Sequence, residues 1–166
     1  MIKNTLLIAL FLNIVTVQSQ VQTNTELLKH AVQSEGPIMD FASILNQQEH
    51  QILEESIEEF EKATQSQLLI ISVADIEDFS DFDQYALKLI DDLAVNEKLE
   101  KNGLALIFSG RLRKIHLNTE MESRKIVEDS IYSSVITEIL IPAFKERNYS
   151  EGLQEAITEI LHAYND

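Results

Sequence analysis

Asp75, Glu77, Asp78, Asp81 and Asp83 crowd hard oxygen donors into one short stretch, the donor type that Ca²⁺ or Mg²⁺ requires. The spacing lacks the glycine and the closing glutamate of an EF-hand loop, so it does not define a calcium site. It fits a helix start better. Ser80 or Asp81 can cap the helix that follows, and acids are favoured at the positive end of that helix. The four histidines are scattered: His30 in an early polar stretch, His50 on a helix surface, His116 in a strand, His162 near the C-terminus. Each reads as solvated or structurally bonded. There is no Gly-x-Ser-x-Gly elbow and no phosphate-cradling glycine loop. The absence of cysteine excludes a disulfide scaffold, a thiolate zinc site, a cysteine nucleophile and a lipid-bearing cysteine. A phosphatase would have to neutralise developing charge with a metal, arginines or backbone donors. The cations available for that are Lys101, Arg111, Arg113, Lys114, Arg124 and Lys125, and those near Gly110 read as a solvated turn. The residues themselves assign no catalytic group and no metal ligand set.

The elements that position these residues are legible from periodicity. Asn46 followed by Glu49 forms a capping box, and Leu53, Ile57 and Phe60 recur behind it at helical spacing, predicting a helix over 47–64. Leu68–Val73 is a short apolar run rich in β-branched residues, as in a strand buried on both faces. A second helix is expected over 81–94, and Gly103–Ser109 is another buried strand. Gly110-Arg111 supplies a tight turn, and 113–118 returns with Ile115 and Leu117 inward. A helix over 123–140 should end at Ile141-Pro142, because a residue before proline is pushed out of the helical region. A last helix follows Ser150. Strand, helix and strand imply a parallel pair with a right-handed crossover, to which the hairpin adds an antiparallel strand. Helices before and after the sheet can cover both its faces. The expected fold is α/β, a three-layer α/β/α sandwich with a central mixed sheet.

Met1–Ser19 reads as a cleavable signal peptide: Lys3 supplies the n-region charge, Thr5–Val17 the apolar run, and Val17 and Ser19 the residues before the cut. The run is short of the roughly 20 apolar residues a bilayer span needs, and no later stretch qualifies. Removing 19 of the 166 residues leaves 147, the size of one domain. Residues 20–36 are polar and read as a flexible leader, with Gly36-Pro37 opening a compact domain over 37–166. The mature chain carries 12 bases against 28 acids. That balance repels phosphate backbones, and no run of Lys and Arg offsets it, so nucleic acid is excluded as a partner.

Four motifs carry a family resemblance over Pro37–Tyr164. They are Asp40 with Ala42 and Leu45, in a V-x-D-x-A-x-x-L opening; Asn102-Gly103 ahead of an apolar strand; Glu122 with Asp129; and Ile141-Pro142-Ala143-Phe144-Lys145-Glu146-Arg147-Asn148-Tyr149 running on to Gly152. Together they resemble the TPM domain, and the chain is similar to a bacterial, exported member with an altered cleft. The resemblance implies a Rossmann-like TPM fold, a lumenal or extracytoplasmic location (periplasmic or secreted here), and cleft candidates Asp40, Lys101, Asn102, Glu122 and Asp129. Some relatives are acid phosphatases, some bind divalent cations, and others assist membrane complexes. Lys101 stands where the family usually has an aspartate, and the Gly-x-Gly-x-Glu stretch is replaced by Asn118-Thr119-Glu120-Met121-Glu122. A lysine there repels Ca²⁺ or Mg²⁺. The resemblance therefore implies a monomeric binding or accessory factor for an envelope or membrane complex, without cofactor. The alternative is a Ca²⁺- or Mg²⁺-binding acid phosphatase.

Overall fold

Asn46 begins helix α1 (Gln47–Thr64) by accepting the Gln48 and Glu49 backbone N–H groups at 2.9 and 3.0 Å, while Glu49 takes the Asn46 N–H at 2.7 Å. The capping box read from the sequence is therefore present. In this computed structural model, residues 30–31, 33–34, 36–76, 79–100, 102–119 and 127–165 are described. The signal segment, Lys101 and Glu122 lie outside the described residues. The remaining elements are β1 (Ile38–Asp40), β2 (Leu68–Ser72), α2 (Phe82–Val95), β3 (Leu104–Ser109) and β4 (Lys114–Thr119). After them come α3 (Asp129–Ser134), a π-helical turn (Val135–Leu140), α4 (Ile141–Lys145) and α5 (Tyr149–Asn165).

The four strands lie in sequence order, with β1, β2 and β3 parallel and β4 antiparallel to β3. Alternation along the strands sends Ile38, Leu68, Ile70, Leu106 and Phe108 to one face, against Leu53, Ile57 and Phe60 of α1 and Leu153 and Ile157 of α5. Met39, Leu69, Ile71, Ala105 and Ile107 point to the other face, against the apolar stripe of α2. The result is the expected three-layer α/β/α sandwich. Its helices are distributed differently from the sequence reading, however. α1, between β1 and β2, and α5, after the sheet, share one face, and α2, between β2 and β3, covers the other. Both parallel steps advance in the same direction across the sheet, yet their connecting helices lie on opposite faces. The two crossovers therefore have opposite hands, and one of them is the rare left-handed form. Ala31 is fully buried in the α2-side core and Lys98 Nζ donates to the Ser34 carbonyl at 2.9 Å, so packing begins upstream of Gly36-Pro37.

Pro142 does not end its helix. Ile141 keeps helical angles (φ −62°, ψ −47°), and the chain stays helical from Asp129 to Lys145. A proline lacks the N–H that would serve the preceding turn, and the wider π turn immediately ahead of it absorbs the mismatch. The stop comes at Arg147, which sits at φ 64°. Asn148 N–H reaches the Ala143 carbonyl at 2.9 Å and Arg147 N–H the Phe144 carbonyl at 3.2 Å, a Schellman closure with arginine at the left-handed position.

On the solvent side of α1, Lys62 Nζ lies 2.6 Å from Glu58. Its hydrogen bond, with its charge second, holds the Glu58 carboxyl below its ordinary pKa; slight desolvation acts the other way. Such a group stabilises the fold above its unfolded pKa and loses that contribution as pH falls through the folded value. Both side chains are exposed, so the effect on global stability is negligible. Lys62→Ala should move the Glu58 titration midpoint upward in an NMR titration; an unmoved midpoint would remove Lys62 as the cause.

Candidate functional site

Asp40 ends β1 beside Ser72, its register partner on β2. Its Oδ1 accepts the Ile44 N–H at 3.1 Å and the hydroxyl of Ser72, and its Oδ2 accepts the Leu45 N–H at 2.8 Å. Ser72, itself buried, accepts the Ala42 N–H at 3.1 Å. The loop bends through Ser43 at φ 52° and delivers Leu45 to the core edge and Asn46 to the helix start. The Asp40, Ala42 and Leu45 pattern thus describes a loop folded onto a carboxylate. No neighbouring residue in the sequence signals Ser72, which lies 32 positions away.

Asn102 stands at the other end of the sheet. Through Ser72, Asp40 aligns with Phe108, so roughly 15–20 Å of chain rise separates it from Asn102. The Asn102 amide donates to the carbonyl of Gln65, the left-handed residue that terminates α1. Beside it, Gln67 Oε1 accepts the Glu100 N–H at 2.9 Å, its Nε2 donates to the Lys98 carbonyl at 3.1 Å, and its own carbonyl takes the Leu104 N–H at 2.8 Å. Gly103 is buried, and a Cβ there would lie 2.6 Å from Leu99 Cδ1 and 3.0 Å from the Glu100 carbonyl. Asn102-Gly103 therefore fastens the entries of β2 and β3 together. Asp129 is exposed in the first turn of α3, where its charge favours the helix start.

The structure therefore holds Asp40 and Asn102 at opposite ends of the sheet. Both oxygens of Asp40 already accept donors, and Asp129 is exposed at the start of α3. Among the described residues no three His, Asp or Glu side chains gather as a metal site would require. The acidic stretch separates into local tasks. Asp81 caps α2 by accepting the Gln84 N–H at 2.9 Å, and Asp83 lies 2.8 Å from His116 of β4. Asp75 accepts the Ile76 N–H at 2.8 Å and pairs with Arg111, whose Nε also donates to the Ala74 carbonyl at 2.9 Å. Glu77 and Asp78 lie outside the described residues.

Fold and site together define a mixed-sheet α/β/α domain whose loop carboxylates and amides serve mainly to hold its strand ends. The family model for the TPM domain matches residues 38–163, and the chain belongs to that family. Three solved structures share the fold. The N-terminal domain of a protein from P. gingivalis is 20% identical, with a TM-score of 0.67 over 86% of this chain and 87% of that one. The BA42 protein of Bizionia argentinensis is 17% identical, with a TM-score of 0.63 over 72% and 81%. The N-terminal domain of the cg2496 protein of Corynebacterium glutamicum is 10% identical, with a TM-score of 0.58 over 78% and 80%. Comparison with curated proteins returns no match. Among the described residues no helix is long and apolar enough to cross a membrane.

Proposed function

We propose that this chain is an exported, non-catalytic binding or accessory factor of the cell envelope. The observation that supports it best is the engagement of Asp40 and Asn102 in strand-end hydrogen bonds at opposite ends of the sheet. A hydrolytic centre needs a base, a charge stabiliser and a nucleophile within reach of one reacting atom, and Asp40 and Asn102 do not converge. The basic side chain of Lys101, where relatives usually carry an acid, further disfavours a divalent cation. The signal segment supports export.

The chain from Gln20 to Asp166 should hydrolyse a generic phosphomonoester no faster than a mock preparation, with or without millimolar Ca²⁺ or Mg²⁺. Calorimetric titration with either ion should show no saturable heat, and the melting temperature should not move, since only a ligand selective for the folded state shifts it. Turnover that Asp129→Ala abolishes would replace this reading with a cation-assisted acid phosphatase.

A further inference from the structure

Only 12 Lys and Arg residues follow Ser19, yet five of them line one groove of about 530 Å³ between the β3–β4 turn and the α4–α5 corner. Arg111, Arg113 and Lys114 come from the turn, and Lys145 and Arg147 from the corner. The two segments are more than thirty positions apart, so no basic run betrays the groove in the sequence. Its lining is otherwise largely apolar: Ile115, Ile141 and Phe144 are half-buried there. The Phe144 and Tyr149 rings lie 5.0 Å apart and both contact buried Phe108. The Tyr149 hydroxyl lies over Gly110, where any side chain would collide with it.

Arg111 is held by Asp75. Arg113, Lys114, Lys145 and Arg147 pair with no carboxylate among the described residues, in a chain where acids outnumber bases more than two to one. Arg113 and Arg147 also sit at φ 55° and 64°, where glycine would be unstrained and arginine is not. Local backbone preference thus does not account for arginine at either position.

We propose that this groove binds an acidic segment of a partner protein, whose carboxylates pair with the cations of both segments while an apolar side chain covers Ile141 and Phe144. The proposal deepens the binding-factor reading and rests on it for the partner being a protein. Charge complementarity selects the occupant. The cations stand on long exposed stems from two separate turns, so a single small anion would meet mostly screened charges. Carboxylates spaced along a chain can satisfy both sides at once, with Arg offering a bidentate fork. A flat anionic membrane would not reach the floor of a groove, and the net negative remainder of the surface would repel it.

The test uses the chain from Gln20 to Asp166 and a short fluorescent peptide alternating glutamate with phenylalanine and leucine, followed by anisotropy. Saturable binding that weakens as salt rises is expected. It should fall about tenfold or more in Lys114→Glu/Lys145→Glu and stay unchanged in Lys88→Glu, whose lysine pairs with Asp92 on α2. Arg113→Gly/Arg147→Gly should melt at the same or a higher temperature and still lose binding. Absence of saturable binding, or binding by either groove variant as tight as by the parent chain, would overturn the proposal. So would groove-dependent capture of phosphatidylglycerol vesicles or inorganic phosphate without the peptide. Phosphomonoester turnover would defeat the non-catalytic reading and leave the peptide titration standing. A silent peptide titration without turnover would defeat the groove alone.

Discussion

Asp40→Ala should destabilise the domain by about 2–4 kcal/mol, because one carboxylate accepts three donors. Hydrogen bonds to a charged acceptor contribute roughly 1.5–3 kcal/mol each when buried, and the half-exposed position of Asp40 lowers that figure. The loss would fall on the loop that joins β1 to α1, and with it on the seating of Leu45 and on the capped start of α1. Asp40→Asn keeps one acceptor oxygen and should cost less. Urea unfolding of the two variants and the parent chain measures this directly. A change below about 0.5 kcal/mol for the alanine variant, the range of ordinary surface substitutions, would show that Asp40 does not hold the loop. It would return Asp40 to the list of residues available to a ligand.

Phe108→Ala should cost about 3–5 kcal/mol, the range for removing a buried aromatic ring from a packed core. Phe108 is 0% exposed, lies on the sheet face covered by α1 and α5, and carries the Phe144 and Tyr149 rings at centroid distances of 4.8 and 6.0 Å. Domain stabilities are only about 5–15 kcal/mol, so the variant should unfold at far lower urea concentration. Phe108→Leu fills most of the volume and should cost less than about 1.5 kcal/mol. The pair separates lost volume from lost ring contacts. Similar midpoints for the two variants would mean that the cavity collapses and that the aromatic cluster is not rigidly supported from below. In that case the floor of the basic groove would have no fixed shape for a partner to read.

Phe108 and Phe144 are recognisable as core from their apolar surroundings, but nothing local indicates that they meet across 36 positions. Asp40 is recognisable as part of a family motif, and its task is visible only beside Ser72. Asn102 and Asp129 belong to the same resemblance, yet the sheet sets Asp40 at one end and Asn102 at the other. Lys101 and Glu122 lie outside the described residues.

What the sequence determines by itself is local. The 3.6-residue period of Leu53, Ile57 and Phe60, the Asn46–Glu49 capping box and the β-branched runs fix where helices and strands form, since these interactions act within a turn or between adjacent residues. The proposal of export likewise rests on one contiguous segment, Met1–Ser19. Only the tertiary structure decides the rest. It makes a strand of the three residues Ile38–Asp40, too short to signal itself, by offering them the edge of β2. It carries a helix through Pro142 by a π turn, places α1 and α2 on opposite faces so that the two crossovers differ in hand, and draws cations from two turns into one groove. Each of these depends on contacts between residues far apart in the chain. Such contacts form only when the whole core is buried, so no local pattern encodes them.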